Sequence, residues 1–275
     1  MAEQTWQQRL KDIAVQAKEH PAGAEMALRD LLRREEGNDL CAALAQDMLG
    51  RVLFALQRAK EALEALELSV TLMRRAKGEG SPMTCLAMQN LAHIYMSLGI
   101  LDKSISLGRQ ALDGLMASCG EGHGLVAGAM LHLSAAYYAQ RNYDEAERLL
   151  RGAREIWEAE DPVPPELGTC LNNLGRIEEE RGHFAEGIAL HRQAVALRTR
   201  LLGDHEDTAF SLGNLGVALA SGGEWQEAAA TLEQAVAMYE KLGLGQSELA
   251  QGYRGNLDVC RRKLAEDAGT APAHD

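Results

Sequence analysis

The chain has 275 residues, 46% hydrophobic and 25% charged, which is enough apolar surface to bury a core and excludes global disorder. A formal net charge of −12 argues against nucleic acid or an anionic membrane surface as the main partner. Five cysteines without a recurring short spacing read as free thiols in a reducing compartment.

Residues 1–36 read as a divergent helix pair, "EQTWQQRLKDIAVQAKE" (3–19) and a shorter "AGAEMALRDLLRRE" (22–35), broken at Pro21. The opening "MAEQTWQQRLKD" has no apolar core, and no run in the chain approaches the ~18 apolar residues of a membrane helix. The expectation is a cytoplasmic protein with no membrane partner.

Residues 38–245 carry a register that does not drift. A leucine recurs at Leu49, Leu91, Leu133, Leu174, Leu215 and Leu257, at intervals of 42, 42, 41, 41 and 42 residues. A small residue follows it in five cases: Gly50, Ala92, Ser134, Gly175 and Gly216. A second small column stands thirteen residues after the leucine, at Ala62, Ser104, Ala146, Gly187 and Ala228. Between the two columns lie the turns "LQRAKEA", "LGILDKS", "QRNYDEA", "RGHFAEG" and "GGEWQEA". Each unit therefore reads as helix, short turn, helix, then loop. Such a fixed period marks a solenoid of five repeats. The Pro-rich loop "EAEDPVPPE" (158–166) reads as a stiff inter-repeat connection, with a domain hinge as the alternative. Residues 246–267 read as a polar capping helix and 268–275 as a disordered tail, the whole being one solenoid domain.

These columns resemble the tetratricopeptide repeat, whose standard unit is about 34 residues. The longer period, "LNNLGRIEEERG" (171–182), "LGNLG" (212–216) and "RLLGDHEDTAF" (200–210) are similar to the lengthened repeats of the kinesin light chain-like family. "CGEGHG" (119–124) is a weaker copy of the last loop, and His123 and His205 share its phase. The resemblance implies an all-α, right-handed α-α superhelix of stacked helix-turn-helix repeats. It also implies a non-catalytic scaffold that binds a peptide segment or protein partner on its concave face. Two alternatives stand beside this: a self-associating module, with homo-oligomerisation, and a peptide-sensing module acting through a separate effector. The Gly/Ala/Ser columns read as close-contact positions between packed helices.

In this family the first helix of each repeat lines the groove, which implies candidate partner-binding residues. They are Arg51 in the first unit, Gln89, Asn90 and His93 in the second, and His132 and Tyr138 in the third. Asn172, Asn173 and Arg176 follow in the fourth, Asn214 in the fifth and Asn256 in the last. The residue before each leucine is Met48, Asn90, His132, Asn173, Asn214 and Asn256, so four of six are asparagine. An amide offers an acceptor and two donor hydrogens, enough to read the backbone of an extended peptide, although the same amides can serve neighbouring helices. Arg51 and Arg176 can engage a partner carboxylate or pair within the chain. The lysine/asparagine clamp of chaperone-tail binders is not expected, because its lysine positions hold Asp47, Gln89, Leu131 and Asn172.

Catalytic chemistry is not expected, since the chain lacks a P-loop, a G-x-G-x-x-G after a strand, H-E-x-x-H and C-x-x-C. No cofactor or metal site is expected either. His183, His191 and His205 fall on different elements, and Cys41, Cys85, Cys170 and Cys260 read as small packing residues.

Overall fold

The computed structural model describes residues 5–269, in which thirteen helices and no strand occur. Helix α1 is Trp6–Glu19, and α2, Pro21–Arg34, opens on the proline that divides the pair; the two are of equal length. Proline suits that first helical position because its missing N–H would have no helical acceptor. Five helix pairs follow: α3 Asp39–Ala55 with α4 Ala59–Lys77, α5 Pro82–Ser97 with α6 Leu101–Cys119, and α7 Gly124–Ala139 with α8 Tyr143–Glu158. The last two are α9 Glu166–Glu180 with α10 Phe184–Leu202, and α11 Glu206–Ser221 with α12 Trp225–Lys241. Helix α13, Glu248–Gly269, runs two residues into the segment expected as tail; 270–275 lie outside the described residues.

The chain divides into two compact units, one up to Leu149 and one from Leu150 on. In the first unit, the first helices of successive repeats touch, α3 with α5 and α5 with α7. In the second, α9 touches α11 and α11 touches α13.

The register is built locally. The two loop histidines of shared phase turn out to be N-caps: His123 Nδ1 accepts from Leu125 N at 3.1 Å and His205 Nδ1 from Asp207 N at 3.1 Å. Eight residues after each of the first five column leucines the chain needs a positive φ. It places Gln57, Gly99, Arg141, Gly182 and Gly223 there, at φ 61, 73, 63, 82 and 83°. The following N–H then returns to the carbonyl five residues back, as Ile100 N does to Tyr95 O (2.8 Å) and Glu224 N to Leu219 O (2.9 Å). That bond closes the last helical turn and points the second helix back along the first.

The small columns work by exchange of volume. Seventeen residues after the leucine stand Leu66, Gly108, Leu150, His191 and Leu232. Three of these, Leu66, His191 and Leu232, meet a glycine in the column beside the leucine. A Cβ on Gly50 would lie 2.5 Å from Leu66 Cγ, one on Gly216 2.6 Å from Leu232 Cγ, and one on Gly175 2.8 Å from His191 Nε2. The other two positions fall outside this exchange: Leu150 shares a repeat with Ser134, and a Cβ on Gly108 would meet Leu133 Cδ1 at 3.0 Å. For Gly187 the nearest neighbour is backbone, its Cβ position 2.9 Å from Gly175 O.

Leu10, Ile13, Leu28, Leu31, Leu49 and Leu53 belong to the core of the first unit. Ile188, Leu215, Leu219, Leu232, Tyr239 and Tyr253 belong to that of the second. All five cysteines are free, and four are buried. Burial pushes the Cys41 thiol up to about 11 and that of Cys170 to about 12, so neither is poised as a thiolate nucleophile.

Candidate partner-binding faces

In the first unit the candidate residues lie on α3, α5 and α7. Asp47 is only 8% exposed, and burial raises its pKa above the ordinary carboxylate value. Asn90 Nδ2 donates to its Oδ1 at 2.8 Å, and Arg51 Nε lies 3.3 Å from Oδ2. The expected spare donors are thus corrected in part: Asn90 and Arg51 already serve a carboxylate inside the chain, because an ion this buried must be paired. Gln89 is likewise buried, and its Nε2 has no hydrogen-bond partner among the described residues. His93 and His132 are exposed. Protein crowding on the remaining sides of His132 pushes its pKa below the ordinary imidazole value, and His93 adds a smaller push. Tyr138 is half-buried with its ring centroid 5.5 Å from that of Tyr143.

In the second unit, Asn172 requires an outright correction. It is 1% exposed, and its amide is spent indoors: Nδ2 to Ser211 Oγ at 2.9 Å and Oδ1 to His191 Nδ1 at 2.9 Å. The fully buried His191 also contacts Glu179 Oε1 through Nε2, at 2.7 Å. Ser211 receives Arg198 Nη1 at 2.9 Å as well. Arg198, 3% exposed, further donates to Asp207 O at 3.0 Å and to Thr169 Oγ1 at 2.6 Å. No carboxylate among the described residues pairs with it, and burial lowers its pKa despite the more distant Asp207 and Glu166. A polar seam of Thr169, Asn172, His191, Arg198 and Ser211 thus replaces part of the apolar core of the fourth repeat.

Asn173 and Asn214, in contrast, are half-buried on α9 and α11, two helices that touch. Asn173 makes no side-chain hydrogen bond among the described residues. Among the described residues Asn214 Oδ1 receives only a long bond from Tyr253 Oη, at 3.4 Å, while its Nδ2, closed off from solvent, has no partner. Arg176 and Asn256 are exposed. Glu178, in the column otherwise held by Leu53, Tyr95, Tyr137 and Leu219, is held by His183 Nδ1 at 2.8 Å and Arg181 Nη1 at 3.7 Å. Among the described residues no group of three or more metal-ligating side chains occurs, and no helix is long and apolar enough to cross a membrane.

The model of the tetratricopeptide repeat matches residues 39–117, 125–186 and 167–241. Protein KINESIN LIGHT CHAIN-RELATED 2 of Arabidopsis thaliana is 26% identical over 234 residues, which are 82% of this chain but 34% of the relative. The chain thus spans about a third of that protein. A putative kinesin light chain of Podosopora anserina with nearly identical TPR-like repeats has a similar fold (TM-score 0.59, 24% identity, 82% of this chain and 98% of that one). NprR, solved in complex with its cognate peptide NprX, also shares the fold (TM-score 0.63, 14% identity, 92% and 69%). The period and the matched segments agree, and the chain belongs to the tetratricopeptide repeat family, its lengthened repeats being similar to those of the kinesin light chain-related protein.

Proposed function

We propose that the protein is a non-catalytic interaction scaffold, and that the face built by its first helices takes an extended segment of a protein partner. The observation that carries this reading is the pair Asn173 and Asn214. Asn173 makes no side-chain hydrogen bond among the described residues, and on the touching helix Asn214 receives only a long one at Oδ1, its Nδ2 being closed off from solvent, although half-buried polar groups ordinarily find partners. Such amides match the alternating N–H and C=O of an extended backbone. Asn256 and Arg176 extend the same face, while Asn90, Arg51 and Asn172 hold the scaffold in shape. Rigid stacked pairs order the face beforehand, so the incoming segment bears most of the ordering cost. The complex of the structurally similar NprR with a peptide supports a peptide as ligand.

The test is selection of extended peptides on the full chain, followed by titration into the Asn173→Ala/Asn214→Ala double variant. Losing two hydrogen bonds of about 1 kcal/mol each weakens binding roughly ten- to hundredfold with helicity unchanged. Equal affinity of both proteins for every selected peptide sinks the proposal.

A further inference from the structure

The last helix departs from the turn pattern of the repeats before it. The first helices α3, α5, α7, α9 and α11 end at Ala55, Ser97, Ala139, Glu180 and Ser221, each six residues past its column leucine. Helix α13 has no second helix to turn towards among the described residues and runs on to Gly269, twelve residues past Leu257. Its overrun carries Leu264 alongside the start of α12, where Trp225 is the first helical residue. Both side chains are half-buried and pack on the core of the second unit. Between them lies a hollow of about 550 Å³, lined also by Ala230, Glu224 and Glu227. Among the described residues Trp225 makes no side-chain hydrogen bond, and no cation stands over its ring.

The charge at the rim of this hollow is unbalanced. Arg192 Nη2 on α10 lies 2.8 Å from Glu227 Oε1 and 3.9 Å from Glu224 Oε2, so one guanidinium serves two carboxylates. The two glutamate side chains remain 48% and 49% exposed, open to a second cation. The nearby cations of α13 are engaged elsewhere, Arg261 by Glu233 and Lys263 by Glu266. The positive end of the α12 dipole, about half a charge, offsets only part of the excess. We infer that this hollow between the start of α12 and the overrun of α13 is a docking pocket for a basic side chain of a protein partner. The aliphatic stem lies on Trp225, Ala230 and Leu264, and the cationic head stands at Glu224 and Glu227. A lysine or arginine stem buries apolar surface while its head stays wet, which suits an apolar floor with a charged, open rim. The indole face adds attraction for a cation within about 6 Å of the ring. A net charge of −12 favours the approach of a basic segment over an acidic one. The pocket uses none of the candidate residues of the first-helix face and stands or falls independently of it.

The experiment uses the full chain with its tryptophan indoles labelled with 15N. The probe is N-acetyl-lysine N-methylamide, whose one charge is the side-chain ammonium. The matched norleucine compound, which has the stem without the charge, and the matched glutamate compound serve as controls. The Trp225 indole signal, assigned with Trp225→Phe, shifts and saturates with the lysine probe. The signal of Trp157, only 3% exposed, stays in place and reports an intact fold. The norleucine compound needs at least tenfold more for the same shift, and the glutamate compound gives none. The Glu224→Gln/Glu227→Gln double variant raises the dissociation constant of the lysine probe at least tenfold. Arg192→Gln leaves the lining intact and removes the competing cation, so it tightens the same probe at least threefold. A probe of this size binds with a dissociation constant of roughly 1 mM, so absence of a Trp225 shift at about 20 mM overturns the inference. Equal response to the lysine and norleucine compounds overturns the assignment to a basic side chain, as does saturation by the glutamate compound. Unchanged affinity of the double variant, or no tightening by Arg192→Gln, overturns the role of the two carboxylates.

Discussion

Gly168→Ala tests whether the polar seam of the fourth repeat, and not backbone conformation, dictates the glycine. Four other repeats hold Ala43, Cys85, Ala127 and Ala209 in that column, and thirty residues on from each they hold Met73, Leu115, Trp157 and Tyr239. Only here does the facing residue become Arg198. A Cβ on Gly168 would stand 2.6 Å from Arg198 Nε, 2.9 Å from Cγ and 3.0 Å from Cδ. The arginine cannot step aside, because its three hydrogen bonds anchor the guanidinium. Overpacking of this kind costs about 1–3 kcal/mol. Against it stands the gain of about 1 kcal/mol from alanine over glycine inside a helix. The net effect in the natural background is thus about 0–2 kcal/mol of destabilisation. In an Arg198→Met background the clash is gone, and Gly168→Ala becomes stabilising by about 1 kcal/mol. Urea midpoints read by circular dichroism for the four proteins of this cycle give the coupling, expected at about 1–3 kcal/mol. An equal rise in midpoint in both backgrounds refutes the reasoning.

The two column tyrosines should respond oppositely to loss of the hydroxyl. Tyr95→Phe destabilises by about 1 kcal/mol because Glu67 loses its donor, whereas Tyr137→Phe is neutral or stabilising because no bond is lost; paired thermal melts compare them. Asp47 carries a raised pKa in the folded state, so its buried charge is a penalty present above that pKa and relieved as pH falls through it. Asp47→Asn therefore matches or exceeds the natural protein in stability at pH 7 by up to about 1 kcal/mol, and the advantage shrinks towards pH 4. Urea midpoints at the two pH values decide it; an advantage that grows on acidification contradicts the burial argument.

Much of the fold could be read from the leucine column, because each repeat must return to the same packing surface to stack. The loop histidines could be placed but not interpreted: the shared phase of His123 and His205 is a capping position, not a site. The polar seam leaves a trace in the repeat columns. His191 stands in a column of Leu66, Gly108, Leu150 and Leu232, and Arg198 in one of Met73, Leu115, Trp157 and Tyr239. A polar residue entering an apolar column demands buried partners, and Asn172 was one of them. What the one-dimensional pattern could not separate was Asn90 from Asn173 and Asn214. All three share a column, and their different fates turn on whether a neighbouring helix offers a carboxylate, as Asp47 does for Asn90.

The mutual fit of Gly168 and Gly175 with Arg198 and His191 also bears on how such a chain can be rearranged. A crossover in the turn between α9 and α10 would part each glycine from the side chain that occupies its space. One in the loop before α11 would part Arg198 and Asn172 from Ser211. The block from α9 through the first half of α11 therefore has to be inherited whole. Duplication of the fourth repeat alone would deliver its arginine to a helix offering no serine.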